Sequence, residues 1–186
     1  MKIAVPYENG QAFQNFGHSA QFKIQDYPQL CFMARIWIFN EYYLLKKEAS
    51  ALKISAVQNH FSLLHRTSEC AGILDYCKEN GIIFYAYLVL EQGALTGKYD
   101  TNHPFPVGTG RGDSYNPHLA EIKTLVSELQ KIGEKYNASP AQIATAWAIA
   151  KGTLPIIGVT KVKQVEEAAA QIILTSEEVS LFGKTW

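Results

Sequence analysis

Between residues 54 and 99 the apolar pattern changes period twice. Residues 56–64 (AVQNHFSLL) are a short, mostly apolar run and predict a strand. From Ser68 to Asn80 the pattern becomes that of an amphipathic helix, with Ser68 as cap and Gly81 as the residue that ends it. Residues 82–90 are nearly all apolar, which predicts a strand covered on both faces. Strand, helix and strand of these lengths make a βαβ unit and imply parallel strands. The alternation continues downstream. Leu119, Ile122, Leu125, Val126, Leu129 and Ile132, spaced by three and four, predict a helix over residues 118–136. Ser139 and Pro140 open another helix to about residue 151, which Gly152 stops. Residues 154–159 predict a strand. Thr160 or Lys161 begins a helix through about residue 171, and Thr175 caps a last short one with Glu178 at the capping-box position. Residues 91–117, rich in glycine and proline, predict a long polar loop of the kind that serves as a lid.

Upstream the pattern is different. Residues 2–5 and 21–24 predict two strands, with a turn at Glu8-Asn9-Gly10 making a short N-terminal β-hairpin. Residues 28–38 are a join, and Asn40 caps a helix over residues 41–52. The fold class is therefore α/β, with three or four parallel strands in an open sheet or part of a barrel. Ligands of such folds sit at the C-terminal ends of strands. That draws attention to residues 58–60, 87–90 and 158–161.

Composition narrows the function classes. Of 186 residues, 47% are hydrophobic and 18% charged, which suits one globular domain with a real core. Lys plus Arg and Asp plus Glu are both 17, so no charge excess points to nucleic acid or to an anionic membrane. Zero net charge also leaves little repulsion between copies. No apolar run approaches the roughly 20 residues that cross a bilayer, and MKIAVPYENG does not read as a secretory signal. Three cysteines without CxxC spacing (Cys31, Cys70, Cys77) fit reduced thiols in the cytoplasm. Cys70 and Cys77, seven apart, fall on one helical face and read as packing residues rather than metal ligands.

Four motifs carry a resemblance. Residues 86–99 read AYLVLEQGALTGKY, residues 155–168 read PIIGVTKVKQVEEA, residues 139–158 read SPAQIATAWAIAKGTLPIIG, and Gln58 lies in AVQNHFSLLHR. In this order they resemble the later strands and helices of the aldo-keto reductases, from about residue 39 to residue 181. The resemblance implies a partial, half TIM-type β/α barrel over residues 39–186. It also implies NADP(H)-dependent reduction of a small-molecule carbonyl substrate. By the same resemblance Tyr87 stacks on the nicotinamide and Gln58 holds its carboxamide, with Leu88 and Leu90 beside them. Gly93, Leu95 and Thr96 wrap the pyrophosphate. Gly158, Val159, Thr160, Lys161, Gln164 and Glu167 take the adenosine end, where Lys161 and Lys163 favour a 2′-phosphate. Each position has a plainer reading: Tyr87 as a core aromatic, Gln58 as a satisfied strand-end amide, the glycine-rich turn as a connector, and the 158–167 turn as an ordinary solvated helix start.

The departures are as informative. Residues 36–39 (IWIF) stand where the family carries a polar Ser-Asn pair, Leu88-Val89 replaces Ser-Pro, and Ala168 replaces a common Asn. The family's catalytic Asp, Tyr, Lys and His have no counterpart, so no catalytic residue is assigned; His60 is the nearest by position and reads as a structural histidine. Residues 1–27 resemble the start of the NifX-like iron-molybdenum-cofactor-binding family, carried by Phe16-Gly17-His18-Ser19 and Phe22. His18 without a second ligand reads as a loop histidine, and no metal site is assigned. The expectation is a truncated or fused chain, with residues 28–38 as the join. It is an aldo-keto reductase-type oxidoreductase by family, or alternatively a non-catalytic nucleotide-binding module or a gene-fragment product. A half barrel leaves strand edges and the inner sheet face uncovered, which predicts either self-association through that face or poor stability alone. Arg111-Gly112-Asp113 and Asn137-Ala138-Ser139 read as coincidental motifs.

Overall fold

A computed structural model describes residues 54–169 and 172–182, together with four short upstream strands. The predicted Asn9-Gly10 turn, the 41–52 helix, His18, Cys31 and most of the join lie outside the described residues. The chain divides into two units, Met1–Asn59 with Ser68–Tyr85, and His60–Thr67 with Ala86–Trp186.

In the first unit β1 (Lys2–Glu8) pairs antiparallel with β2 (Gln11–Ala12) and with β3 (Phe22–Asp26), in the order β2-β1-β3. Strand β4 (Ile36–Trp37) pairs parallel with β5 (Ala56–His60), Ile36 opposite Ala56 and Trp37 opposite Val57. Strand β6 (Ile83–Tyr87) lies on the other side of β5, and the Ile83 amide donates to the Ser55 carbonyl at 3.0 Å. Two short helices join β5 to β6: α1 (Thr67–Cys70) and α2 (Ile73–Glu79). The single helix expected here is broken because Gly72 takes φ 75°, a left-handed conformation that glycine adopts without a Cβ penalty. The break separates the two cysteines: Cys70 is exposed and Cys77 buried, so they do not share a helical face. Burial pushes the Cys77 thiol up to about 11, which makes it inert packing. Nor does Ser68 act as a cap. It is buried inside α1, where its hydroxyl accepts from the Asn59 side-chain amide at 2.9 Å.

In the second unit the expected long loop is largely ordered by its own packing. It contains a 3₁₀ turn at Glu91–Thr96, helix α3 (Gly110–Tyr115) capped by Thr109, and a 3₁₀ turn at Asn116–His118. Phe105 explains why: it is buried with Ala94, Leu119, Ile122 and Val126, and its ring stacks on Tyr99 at 3.8 Å. Helix α4 (Leu119–Tyr136) buries the expected stripe, apart from Ile132, which is half-buried. Helix α5 (Pro140–Ala150) starts on the Ser139 capping box and is apolar around much of its circumference, with Ile143 to Ala148 all buried. Trp147 of α5 stacks on Phe61, ring centres 5.3 Å apart. Strand β7 is only Leu154–Pro155, shorter than expected, and the Ile156 amide donates to the Ala86 carbonyl at 2.7 Å. Helix α6 (Val162–Ala169) follows, and α7 (Ser176–Leu181) carries the expected Thr175/Glu178 capping box.

Strand β5 also stops earlier than expected. Past His60, Ser62 closes a turn by accepting from the Leu64 and His65 amides, both at 3.0 Å. Strand β6 is not covered on both faces: Phe84 and Ala86 are buried, Ile83 is 43% exposed, and Tyr85 and Tyr87 are half-buried. A tyrosine there covers apolar neighbours while keeping its hydroxyl wet.

Candidate functional site

The second unit holds a cavity of about 670 Å3, within the range of small-molecule sites. One wall is the turn after β6, contributing Leu90, Gln92, Gly93 and Thr96. The facing wall is the stretch from β7 into α6, contributing Gly158, Val159, Thr160, Gln164 and Glu167. Ser139, Gln142 and Thr145 of α5 and its cap also line it, and Lys98 and Arg111 are its two cations.

Local chemistry shapes each wall. Gly93 sits at φ 105°, a conformation that side chains rarely adopt, and the Thr96 hydroxyl donates to its carbonyl at 2.7 Å. On the facing wall the Gln164 carbonyl oxygen accepts from the Thr160 amide at 2.8 Å, the Lys161 amide at 3.1 Å and the Thr160 hydroxyl at 3.2 Å. The helix-start donors of α6 are thus engaged by the helix's own side chain, where a bare turn offers them to an anion. Gln142 ties the walls to α5: its oxygen accepts from the Ser139 amide at 2.9 Å, and its nitrogen donates to the Glu167 carbonyl at 3.2 Å. Lys163 Nζ lies 3.7 Å from Glu167 Oε1.

Eight residues marked from the sequence therefore line one cavity: Leu90, Gly93, Thr96, Gly158, Val159, Thr160, Gln164 and Glu167. Five others of the second unit do not. Leu95 is fully buried, Lys161 and Lys163 are exposed outside the lining, and Leu88 and Tyr87 are half-buried. The Tyr87 ring packs 5.6 Å from that of His60. Gln58 belongs to the first unit, half-buried on β5. Lys98, Arg111, Gln92 and the α5 residues were missed. Lys98 sits inside the LTGKY motif, so a cation beside the glycine turn was readable there. Arg111 had no local signal, because its place depends on how residues 100–117 fold back.

The same turn carries a buried carboxylate. Glu91 is 3% exposed. His60 Nε2 lies 2.6 Å from its Oε1, the Ser62 hydroxyl donates to the same oxygen, and the Tyr115 hydroxyl donates to Oε2 at 2.7 Å. Burial alone pushes Glu91 up, but the hydrogen bonds from His60, Ser62 and Tyr115 outweigh it and hold the carboxyl below its usual value. Tyr115 is pushed up, by burial first and then by its hydrogen bond to Glu91 and the charge of that group. His65 stacks on His60 with ring centres 3.9 Å apart; burial and then the neighbouring His60 lower its pKa, partly offset by Glu91. Among the described residues no three His, Cys, Asp or Glu side chains converge as a metal site.

A family model described as the aldo/keto reductase family matches residues 32–185. The chain belongs to the aldo/keto reductase family. An aldo-keto reductase of Strobilurus tenacellus is 34% identical over 149 residues, covering 75% of this chain and 44% of that protein. An aldo-keto reductase [NADP(+)] of Schizosaccharomyces pombe is 34% identical over 131 residues, covering 66% of this chain and 38% of that protein. This aldo/keto reductase chain thus spans less than half the length of these curated relatives. Among solved structures, the glycerol dehydrogenase of Gluconobacter oxydans superposes with a TM-score of 0.68 at 23% identity, covering 78% of this chain and 46% of that one. That likeness shows a shared α/β fold of the TIM-barrel type, of which this aldo/keto reductase chain spans part. No helix among the described residues is long and apolar enough to cross a membrane.

Proposed function

We propose that the cavity between the 90–99 turn and α6 binds NADP(H), and that the chain is the cofactor-binding part of an aldo-keto reductase-type oxidoreductase acting on small carbonyl compounds. One observation carries this reading: the two family-like motifs, far apart in sequence, face each other across one cavity that also holds two cations. The donor set suits a dinucleotide. Lys98 and Arg111 supply positive charge for a pyrophosphate, Thr160 and Ser139 supply hydroxyls, and Leu90 and Val159 supply apolar surface for a base. Lys161, beside this wall, supports a 2′-phosphate and hence NADP over NAD. Tyr87 stacks against the nicotinamide. Bound NADPH supplies the hydride; the chain's own residues bind and orient it.

Titration of NADPH into the full chain, followed by Trp fluorescence or calorimetry, is expected to saturate, with NADH weaker. Replacing both Lys98 and Arg111 by alanine is expected to weaken binding at least tenfold, about the worth of one charge-assisted hydrogen bond. Absence of saturable binding overturns the reading. A second reading, a nucleotide-binding module without catalysis, is favoured by one contact: the titratable ring nearest Tyr87 is already engaged, with His60 Nε2 held against Glu91. Oxidation of NADPH with a panel of aldehydes separates the two.

Cys70 and Cys77 are both free thiols, which suits a reducing, cytoplasmic setting. Zero net charge gives no support to a nucleic-acid partner. Exposed apolar residues around β7 and α6 support self-association. Residues 1–27 retain a separate resemblance to the iron-molybdenum-cofactor-binding family.

A further inference from the structure

The turn that forms one cavity wall is conformationally expensive. Leu88, Glu91 and Gln92 all have positive φ, at 56°, 46° and 52°. A non-glycine residue held this way is strained and persists only where its surroundings over-determine it. What over-determines it is visible. The Glu91 carboxylate is gripped from the end of β5 by His60, from the following turn by Ser62 and from α3 by Tyr115. Gln92 is the next residue along the same turn and shares its left-handed backbone. Gln92 lines the cavity. The gripped carboxylate is therefore carried by the immediate neighbour of a residue that lines the cavity. None of these groups is spent on the lining itself except Gln92.

We propose that Glu91 is a positioning residue for the dinucleotide site: its contacts with His60, Ser62 and Tyr115 pin the 88–93 turn, and through the backbone of that turn they set the place of Gln92 and of the wall formed by Leu90, Gly93 and Thr96. The inference rests on the dinucleotide reading of the cavity and adds a residue that touches no ligand. It makes a directional statement. Under that reading the adenosine end lies against the wall from Gly158 to Glu167, and the pyrophosphate against Gly93 and Thr96. Loosening Glu91 disturbs only the second.

The test compares two probes on the full chain, NADPH and the fragment adenosine 2′,5′-bisphosphate, in wild type, Glu91→Gln and Tyr115→Phe. An amide at position 91 can face His60 and Ser62 with its oxygen, but its NH2 leaves the Tyr115 hydroxyl without an acceptor. Phenylalanine at 115 removes the same link at a half-buried site and changes no charge. Both variants are expected to bind NADPH about tenfold more weakly, the scale of a lost hydrogen bond to a charged group, and to bind the fragment within about twofold of wild type. An unchanged NADPH affinity overturns the proposal, and so does an equal loss for both probes, which is the signature of general loosening. Hydrogen exchange at the amides of Glu91, Gly93 and Leu95, which bond to the carbonyls of Leu88 and Leu90, supplies an independent reading. Faster exchange there, with α5 unchanged, supports the pin; unchanged exchange refutes it. If wild type binds neither probe, the dinucleotide reading fails on its own, and the exchange result still decides whether Glu91 holds the turn.

Discussion

His65 is where a single side chain ties this protein to pH. Its ring lies flat on His60, interplanar angle 4°, so a proton on one ring disfavours a proton on the other. Burial and His60 lower its pKa from the ordinary 6.5. The unfolded chain therefore binds more protons at this position than the folded one in the window just below pH 6.5. Stability contributed here is complete above 6.5 and is lost as pH falls through the folded value. Glu91 and Glu178 have the same sign in a lower window. Both carboxyls lie below the ordinary 4.5 when folded, Glu178 at about 2, where the Lys135 and Tyr136 side chains and the Thr175 amide donate to it. Their contribution is complete above 4.5 and lost below it. The urea midpoint is thus expected to fall in two stages on acidification from pH 7.5 to 3.5. His65→Gln is expected to flatten the first stage and leave the second. A wild-type midpoint that rises as pH drops from 6.5 to 5.5 contradicts this sign.

At the scale of elements, residues 91–117 are the instructive case. A run of glycine, proline and polar residues predicts a loop, yet Phe105 anchors it with its ring between those of Tyr99 and Tyr115, the latter at 5.4 Å. The Asn116 side chain clamps the same residue, accepting from the Phe105 amide at 3.0 Å and donating to its carbonyl at 3.1 Å. Phe105→Ala is expected to cost about 3–5 kcal/mol and to open this segment first, measured as faster amide exchange over residues 100–118 than in α5. Retained protection there contradicts the anchoring role. One aromatic anchor has no period, which is why this element was illegible from the pattern. Helices α4 and α5 were legible because Leu119 to Leu129 repeat at helical spacing and Ser139 marks a start. Strand β7 was overestimated because apolar Ile156 to Val159 read as a strand although the ladder ends at Pro155. The site followed the same division. Gly93 and the 158–167 stretch were visible as local motifs. Arg111, Gln142 and the Glu91 contacts were not, since each depends on segments brought together by folding.

At the scale of the molecule the question is what β7 and α6 meet in solution. Strand β7 is two residues long, and Pro155 has no amide hydrogen to offer a neighbouring strand, which blunts that edge against strand pairing. Side chains are a different matter. Leu154, Ile156, Val159, Val162, Val165 and Ile173 are all large, apolar and exposed, and they come from one short stretch of chain. Apolar surface gains roughly 25 cal/mol for each Å2 removed from water, and a formal net charge of zero sets nothing against it. The chain is therefore expected to self-associate through side-chain contacts rather than by extending its sheet. Light scattering across a hundredfold range of concentration is expected to show a mass rising above 20.8 kDa. Val162→Glu with Val165→Lys, two exposed α6 positions outside the cavity lining, is expected to return the mass to that of one chain while leaving NADPH affinity within about twofold, because a side chain already in water loses little packing when replaced. A wild-type mass that stays at one chain throughout refutes association. A variant that dissociates but also loses NADPH would instead make the apolar face part of the binding site, with the second copy needed to hold α6 in place.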